Sequence, residues 1–246
     1  MRRQRHREVW ESLGRSDPDW AVLSSDEHRF HGWDGELDTF YASGRADVQS
    51  VLDSLPDLMP RTAALDWGCG TGRLTFALAA HFATVTAVDI SNPMLAHLRQ
   101  RAQDRMVAGV HTIQVDDLAP AADHDLALSL LVLQHLPDRD AVLAALRVMV
   151  QCLRPGAWLV VEIPSAAKTL RAKVQLRYRC YLLLRGIGVR ASWLNRRGLS
   201  GMSMLVVDED TVHAVLTACG VVVHHTERPA RAEDFAYSRY FARKNG

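Results

Sequence analysis

From residue 63 onward the chain alternates short runs of consecutive apolar residues with longer stretches in which apolar residues recur every three or four positions. Strands buried on both faces produce the first pattern and amphipathic helices the second, so the alternation predicts successive βαβ units in a parallel sheet. Residues 63–67 read as the first strand, followed by a helix from Gly72 to about Phe82. Residues 84–89 form the second strand, after which Ser91 as cap and Pro93 in the first turn open a helix through Met94, Leu95 and Leu98. Strands three and four fall at 111–115 and 125–131. Asp138 caps a helix carrying Val142, Leu143, Leu146, Val150 and Leu153, and Arg154-Pro155-Gly156 stops it before a fifth strand at 157–163. A helix over 208–219, closed by Gly220, precedes two last strands at 221–227 and 236–243.

Two segments stand outside this repeat. Residues 1–60 hold Trp10, Trp20, Trp33, Phe40 and Tyr41 but no strand pair, which predicts a helical cover preceding a domain over 61–246. Residues 165–205 interrupt the repeat after strand five. They carry Lys168, Arg171, Lys173, Arg177, Arg179, Arg185, Arg190, Arg196 and Arg197, with no acidic residue between Glu162 and Asp208. Leu170, Val174, Tyr178 and Leu182 recur at every fourth position there, the spacing of an amphipathic helix with its apolar stripe turned inward.

At 246 residues, with 48% hydrophobic and 23% charged residues and a net charge of +1, the chain has the makeup of one folded α/β domain with an insertion. No apolar run approaches a bilayer span. The basic start, Met1 to Arg7, leads into Glu8, Trp10 and Glu11 rather than an apolar stretch, so it does not read as a secretory signal. Cys69, Cys152, Cys180 and Cys219 are widely spaced and read as reduced thiols of a cytoplasmic protein. His28 with His31, and His224 with His225, lack a third ligand, so no metal is expected. Only three of 29 cationic residues are lysine, which points to a GC-rich bacterial genome.

The first strand runs into Asp66-Trp67-Gly68-Cys69-Gly70-Thr71-Gly72-Arg73. Glycines there permit positive φ and close approach of a ligand, and the next helix offers unpaired N–H groups. A dinucleotide fingerprint would place its third glycine where Arg73 stands, so a nicotinamide oxidoreductase is disfavoured. With Asp89 closing the next strand, 21 residues after Gly68, the D-x-G-x-G-x-G spacing resembles the first motif of class I S-adenosylmethionine (SAM) dependent methyltransferases. The later motifs follow in that family's order at Val85 to Ser91, Val115 to Leu118, Asp125 to Pro137 and Leu153 to Ile163. An upstream block, Trp33-Asp34 and Phe40-Tyr41-Ala42-Ser43-Gly44-Arg45, is similar to one in bacterial small-molecule members.

The resemblance implies a Rossmann-like, doubly wound sheet of seven strands with the last strand antiparallel, the N-terminal cover, and the 165–205 insertion as a helical lid over the acceptor. It also implies SAM as cofactor, with S-adenosylhomocysteine as product. Gly68, Cys69, Gly70 and Gly72 then pass the methionine end, Asp66 takes the ammonium, Asp89 the ribose diol, and Arg45 the carboxylate. Ile90 and Met94 give the adenine an apolar surface, Asp116 or Asp117 its amine partner, and Leu118 a backbone amide. Leu130, with Leu131, ends strand four beneath the reactive centre. His135 is the first candidate for a base because its pKa lies near neutrality, and Glu162 the second, a salt bridge being its competing role. The expected reaction is methylation of an O or N of a small molecule, a secondary metabolite or glycan precursor, with an anionic acceptor suited to the cationic insertion. The alternatives are an RNA methyltransferase using the cations of 168–197, or a SAM-binding protein without chemistry. Ser129-Leu130-Leu131-Val132 stands where base-methylating members carry an N-P-P-Y-type motif, which favours the small substrate.

Overall fold

The computed structural model describes residues 2–24, 28, 30, 32–55, 59–231 and 233–246. Three helices come first, α1 (Arg2–Ser16), α2 (Pro18–Val22) and α3 (Leu37–Asp53). Then follow β1 (Ala63–Trp67), α4 (Thr75–Ala79), β2 (Thr84–Asp89), α5 (Asn92–Asp104), β3 (Val110–Gln114), β4 (His124–Ser129), α6 (Arg139–Cys152) and β5 (Leu153–Ala167). The insertion is α7 (Leu170–Val174), α8 (Leu176–Gly186) and α9 (Ala191–Arg196), and the chain ends with α10 (Glu209–Ala218), β6 (Val221–Glu227) and β7 (Phe235–Lys244). No helix among the described residues is long and apolar enough to cross a membrane.

The seven strands form one sheet in the order β3-β2-β1-β4-β5-β7-β6. β1 pairs in parallel with β2 on one side and β4 on the other, so the winding reverses between β1 and β4. Open α/β sheets form their ligand crevice at that switch point, beyond the C-terminal ends of the strands. β7 lies antiparallel between β5 and β6, the arrangement expected from the family resemblance. Alternate residues of the central strands feed two cores. Leu65, Ala127, Leu159 and Val161 pack with Leu146 and Met149 of α6 and Val212 and Leu216 of α10. Ala64, Leu126, Leu128 and Val160 pack with Val48, Val51 and Leu52 of α3 and Leu78 of α4.

The local signals acted as expected at three helix starts. Ser91, Asp138 and Asp208 each accept a backbone N–H from the first turn of α5, α6 and α10. Several boundaries differ, and Leu153 opens β5 rather than lying on α6. Residues 72–74 stay in turns, so α4 begins at Thr75. β3 starts one residue early, at Val110. β4 stops at Ser129 because Leu131 takes a left-handed conformation with φ +61°, incompatible with a strand. β5 continues to Ala167 because β7 pairs with it as far as Phe235.

The cover consists of α1, α2 and α3 joined by turns among its described residues, and it shares a core with the insertion. Val9, Leu13, Trp20, Trp33, Phe40 and Tyr41 pack with Tyr181 of α8 and Leu194 of α9. The expected inward stripe on the insertion is not formed. Gln175, at φ +48°, breaks the helix and exchanges two hydrogen bonds with the Met204 backbone, of 2.6 and 2.9 Å. The break resets the phase of α8, leaving Leu170 76% exposed while Ala172, Tyr181 and Leu194 turn inward.

Candidate active site

The turn after β1 is pinned to the end of β2 by its own backbone. Gly68 and Cys69 both donate N–H to the Val88 carbonyl, at 2.8 and 3.0 Å. Asp89 accepts from Gly70 N at 2.9 Å and from Ser91 N at 2.8 Å, so one carboxylate ties the glycine turn to the start of α5. Gly68 and Gly70 have φ of +79° and +53°, and a Cβ on either would come 2.3 Å from a methyl of Val132 or Val22. Glycine is therefore required twice over, by conformation and by space. Gly72 (φ +98°) closes the turn through its N–H to the Cys69 carbonyl and does not reach the cavity.

Below the turn, Asp66 is fully buried and accepts from Thr75 Oγ1 at 2.6 Å. Burial pushes its pKa up to about 6, against the opposing pull of Thr75 and Arg73. Burial also raises Asp89, against the hydrogen bonds from Ser91 and Gly70. The buried Cys69 thiol is pushed well up in the same way, which makes it an inert wall atom rather than a nucleophile.

A cavity of about 640 Å³ opens over this turn, a size suited to a cofactor. Asp66, Gly68, Cys69, Gly70 and Asp89 form its floor, and Ile90, Met94, Leu118 and Leu130 line it as the sequence suggested. Its roof comes from α1, through Arg3, His6 and Trp10. The roof is held down by Arg3 and Arg7 on Asp116, by Ser91 Oγ donating to the Trp10 carbonyl at 3.2 Å, and by His6 Nε2, 2.9 Å from the His135 carbonyl. No local signal marks these roof residues. They reach the cavity only through contacts more than 80 positions apart in the chain.

Three expected cofactor contacts are corrected by this arrangement. Asp116 is occupied by the two arginines of α1, and Asp117 is exposed; neither lines the cavity. Arg45 points to solvent because α3 crosses the turn at Gly44, where a Cβ would lie 2.1 Å from the Arg73 carbonyl, and the next residue is carried outward. The buried cation that lines the cavity floor is Arg73, held by Asp47 at 2.8 Å and Ser43 at 3.2 Å. Its position directly after the glycine turn was the available signal.

A second cavity, of about 950 Å³, shares Ala21, Val22, Leu131 and His135 with the first. Arg171, Arg177 and Arg231 line it together with Asp234, so cations outnumber acids there even though Arg231 is paired with Glu162 and Asp47, and Tyr178, Tyr237, Met202 and Met204 add an apolar wall. The strained Leu131 stands at the junction. His135 Nδ1 is 2.8 Å from the Ser203 carbonyl, which as a pure acceptor fixes the proton on Nδ1 and leaves the lone pair on Nε2, with the Gln134 amide nitrogen a distant 3.5 Å from it. Burial lowers the His135 pKa despite that bond. Beside it the buried Oε1 of Gln134 has no partner, and Gln134 lines the second cavity.

Glu162 is corrected from a candidate base to a framework residue. Its buried carboxylate receives four bonds of 2.8 to 3.1 Å from Arg231 and Arg239 and lines neither cavity. Asp47 joins the same network; burial pushes its pKa up, but Arg73 and Arg231 outweigh that and hold it below the usual range. The network fixes two arginines, Arg73 in the first cavity and Arg231 in the second. Among the described residues no cluster fit to hold a metal ion is present. His28 stacks on Trp33 at 3.6 Å and His225 on Phe241 at 4.2 Å, while His31 lies outside the described residues.

Residues 64–156 match the family model of a methyltransferase domain. A trans-aconitate 2-methyltransferase of Deinococcus radiodurans is 33% identical over 135 residues, 54% of this chain and 50% of the relative. A ubiquinone biosynthesis O-methyltransferase of Methylococcus capsulatus is 28% identical over 183 residues, 72% of this chain and 75% of the relative. The chain thus spans about half the length of the trans-aconitate relatives it matches. Among solved structures, magnesium protoporphyrin IX methyltransferase from Synechocystis PCC 6803 with bound SAH has a TM-score of 0.65 at 19% identity, covering 97% of this chain and 98% of that one, which is a likeness of fold. Residues 64–156 thus resemble a methyltransferase domain, and the seven-stranded fold is shared with solved SAM-dependent methyltransferases.

Replacing Glu162 with Gln leaves the buried Arg239 and the half-buried Arg231 short of charge and should cost about 3 kcal/mol of stability. Urea unfolding checks this, and an unchanged midpoint would mean that the network does not hold the site together.

Proposed function

We propose that this chain is a class I SAM-dependent methyltransferase that holds SAM in the first cavity and transfers its methyl group to an O or N of a small anionic molecule in the second. The observation that carries the reading is the meeting of the two cavities at His135 and Leu131, with the glycine turn and Asp89 on one side and three arginines on the other. The site fits the cofactor by its own chemistry. Asp89 spends two of about four acceptor positions on the backbone, which leaves capacity for a ribose diol. Asp66 is a carboxylate whose ionisation an ammonium group would restore, and Arg73 is a cation suited to a carboxylate.

When bound, SAM supplies a methyl group on a sulfonium, which is displaced in line and leaves a neutral thioether. The residues of this chain align the reactants and manage one proton. The lid helix α1 and the apolar wall exclude water, so most of the acceleration comes from a held near-attack geometry. Where the acceptor is a hydroxyl or an N–H, His135 Nε2 takes its proton as the new bond forms. The Ser203 carbonyl stabilises the resulting imidazolium through Nδ1–H. Gln134 Oε1 is the buried acceptor that orients the same group. Arg171, Arg177 and Arg231 attract the acidic end of the acceptor.

Removing the Asp89 carboxylate by Asp89→Ala should weaken SAM binding on the order of 10- to 100-fold in calorimetry. Unaltered affinity would remove the ribose assignment. Asp66 titrates near 6 in the free protein, and an ammonium beside it favours the ionised form, so binding releases a proton. SAM affinity should therefore rise as pH increases through about 6 and then level off, and Asp66→Asn should flatten that rise; a wild-type profile that is already flat contradicts the pairing.

His135→Gln should lower turnover by about 100-fold with little change in SAM affinity. Because the His135 pKa is lowered, the base stays neutral to more acidic pH than an ordinary histidine, and wild-type activity should persist below pH 6.5 before protonation abolishes it. A screen of acidic metabolites for a gain of one methyl mass identifies the acceptor; near-normal turnover of His135→Gln on that acceptor would make His135 structural.

A further inference from the structure

Five of the eight large hydrophobic residues that stand exposed among the described residues fall in the insertion: Leu170, Leu176, Leu183, Ile187 and Trp193. Three of them are on α8 and its C-cap, with Leu176 67%, Leu183 70% and Ile187 73% exposed. Together with Cys180 they recur at intervals of four, three and four residues. At 100° per residue they occupy an arc of roughly 60° on the side opposite Tyr181, which is buried in the core shared with α1. Arg177 and Arg179 flank the stripe on either side, and α9 adds Trp193, whose ring lies 4.7 Å from the Arg197 guanidinium. Residues 163–207 contain nine cationic residues and no acidic residue in sequence.

We propose that this outer face of the insertion docks on the surface of a bilayer containing anionic lipid. An aliphatic ridge flanked by arginines is the composition of a helix lying in the membrane interface. The apolar side chains enter the acyl boundary, the arginines reach the headgroups, and a tryptophan rests at the level between them. The aliphatic character of the ridge separates this partner from single-stranded RNA, which needs exposed aromatic or guanidinium platforms for its bases. The same insertion walls the second cavity through Arg171, Leu176, Arg177 and Tyr178. Docking by this face therefore brings the acceptor cavity to the lipid, and an acidic amphiphile partitioned in the interface is the class of acceptor it would collect. That last step rests on the methyl-transfer reading; the docking does not.

Sedimentation with sucrose-loaded vesicles tests the docking without SAM or any acceptor. The full chain should pellet with vesicles of 30% phosphatidylglycerol in phosphatidylcholine, much less with phosphatidylcholine alone, and less as salt rises. Leu183→Glu/Ile187→Glu, which lines neither cavity, should weaken pelleting at least about tenfold while retaining the far-ultraviolet circular dichroism and melting temperature of the parent. Arg179→Glu, a second variant, should weaken it and reduce its salt dependence. Absence of wild-type pelleting, or full pelleting by the double variant, overturns the proposal. So does a dimer by light scattering that the double variant dissociates, since a second copy then owns the ridge, or RNA binding that competes fully with the vesicles. Loss of SAM binding with vesicle binding intact would instead defeat the methyl-transfer reading alone.

Discussion

The carboxylate of Asp89 is the joint on which the site depends. It stands at the end of β2 and accepts backbone N–H groups from both sides, Gly70 from the turn after β1 and Ser91 from the start of α5. The turn has little freedom left, because Gly68 and Cys69 also donate to Val88, the residue just before. The pairing of Trp67 with Val88 brings the two strand ends level, so the β1–β2 register dictates where the turn must fold. A carboxylate so held is pre-oriented toward whatever fills the cavity, and no reorganisation cost attends binding.

What was legible in the sequence follows from whether a signal is local. The strands at 63–67, 84–89 and 221–227 and the caps Ser91, Asp138 and Asp208 rest on short-range periodicity and capping, and they stand where that reading put them. The glycine turn, Asp66 and Asp89 were legible for the same reason. The positions misread depend on partners distant in the chain. Asp116 looked free for a ligand, but α1 neutralises it across 109 to 113 positions. Glu162 lies on β5, and its two arginines come from the loop before β7 and from β7 itself. Arg45 turns to solvent while Arg73 lines the cavity because of one close helix crossing at Gly44, which periodicity does not encode. The stripe on the insertion failed at Gln175, whose left-handed backbone is favoured by tertiary bonds to Met204 rather than by its own propensity.

The cover and the insertion, separated by more than a hundred residues, form one structural unit over the two cavities. Tyr181 and Leu194 complete the core of α1 and α2, while Trp10 stands 5.4 Å from the ring of His135. The roof of the first cavity and the wall of the second are therefore packed together. His6 records a compromise in this packing. Its Nε2 lies 2.9 Å from both the Trp10 indole N–H, which can only donate, and the His135 carbonyl, which can only accept. One ring nitrogen cannot serve both. Burial lowers its pKa to about 4, so the ring is neutral near pH 7 and one of the two contacts goes unmade. The arginine pairs on Asp116 and the Ser91 hydroxyl hold the roof whichever of the two contacts His6 makes.

The central claim is that a glycine turn of this spacing, pinned by Asp89, forms a SAM site and not a dinucleotide site. Calorimetric titration of the unmodified chain with SAM, S-adenosylhomocysteine and NAD in parallel addresses it most directly. The account predicts saturable one-to-one binding of SAM and S-adenosylhomocysteine and no heat of binding from NAD. Binding of NAD in preference to SAM, or no binding of either SAM or its product, would contradict it.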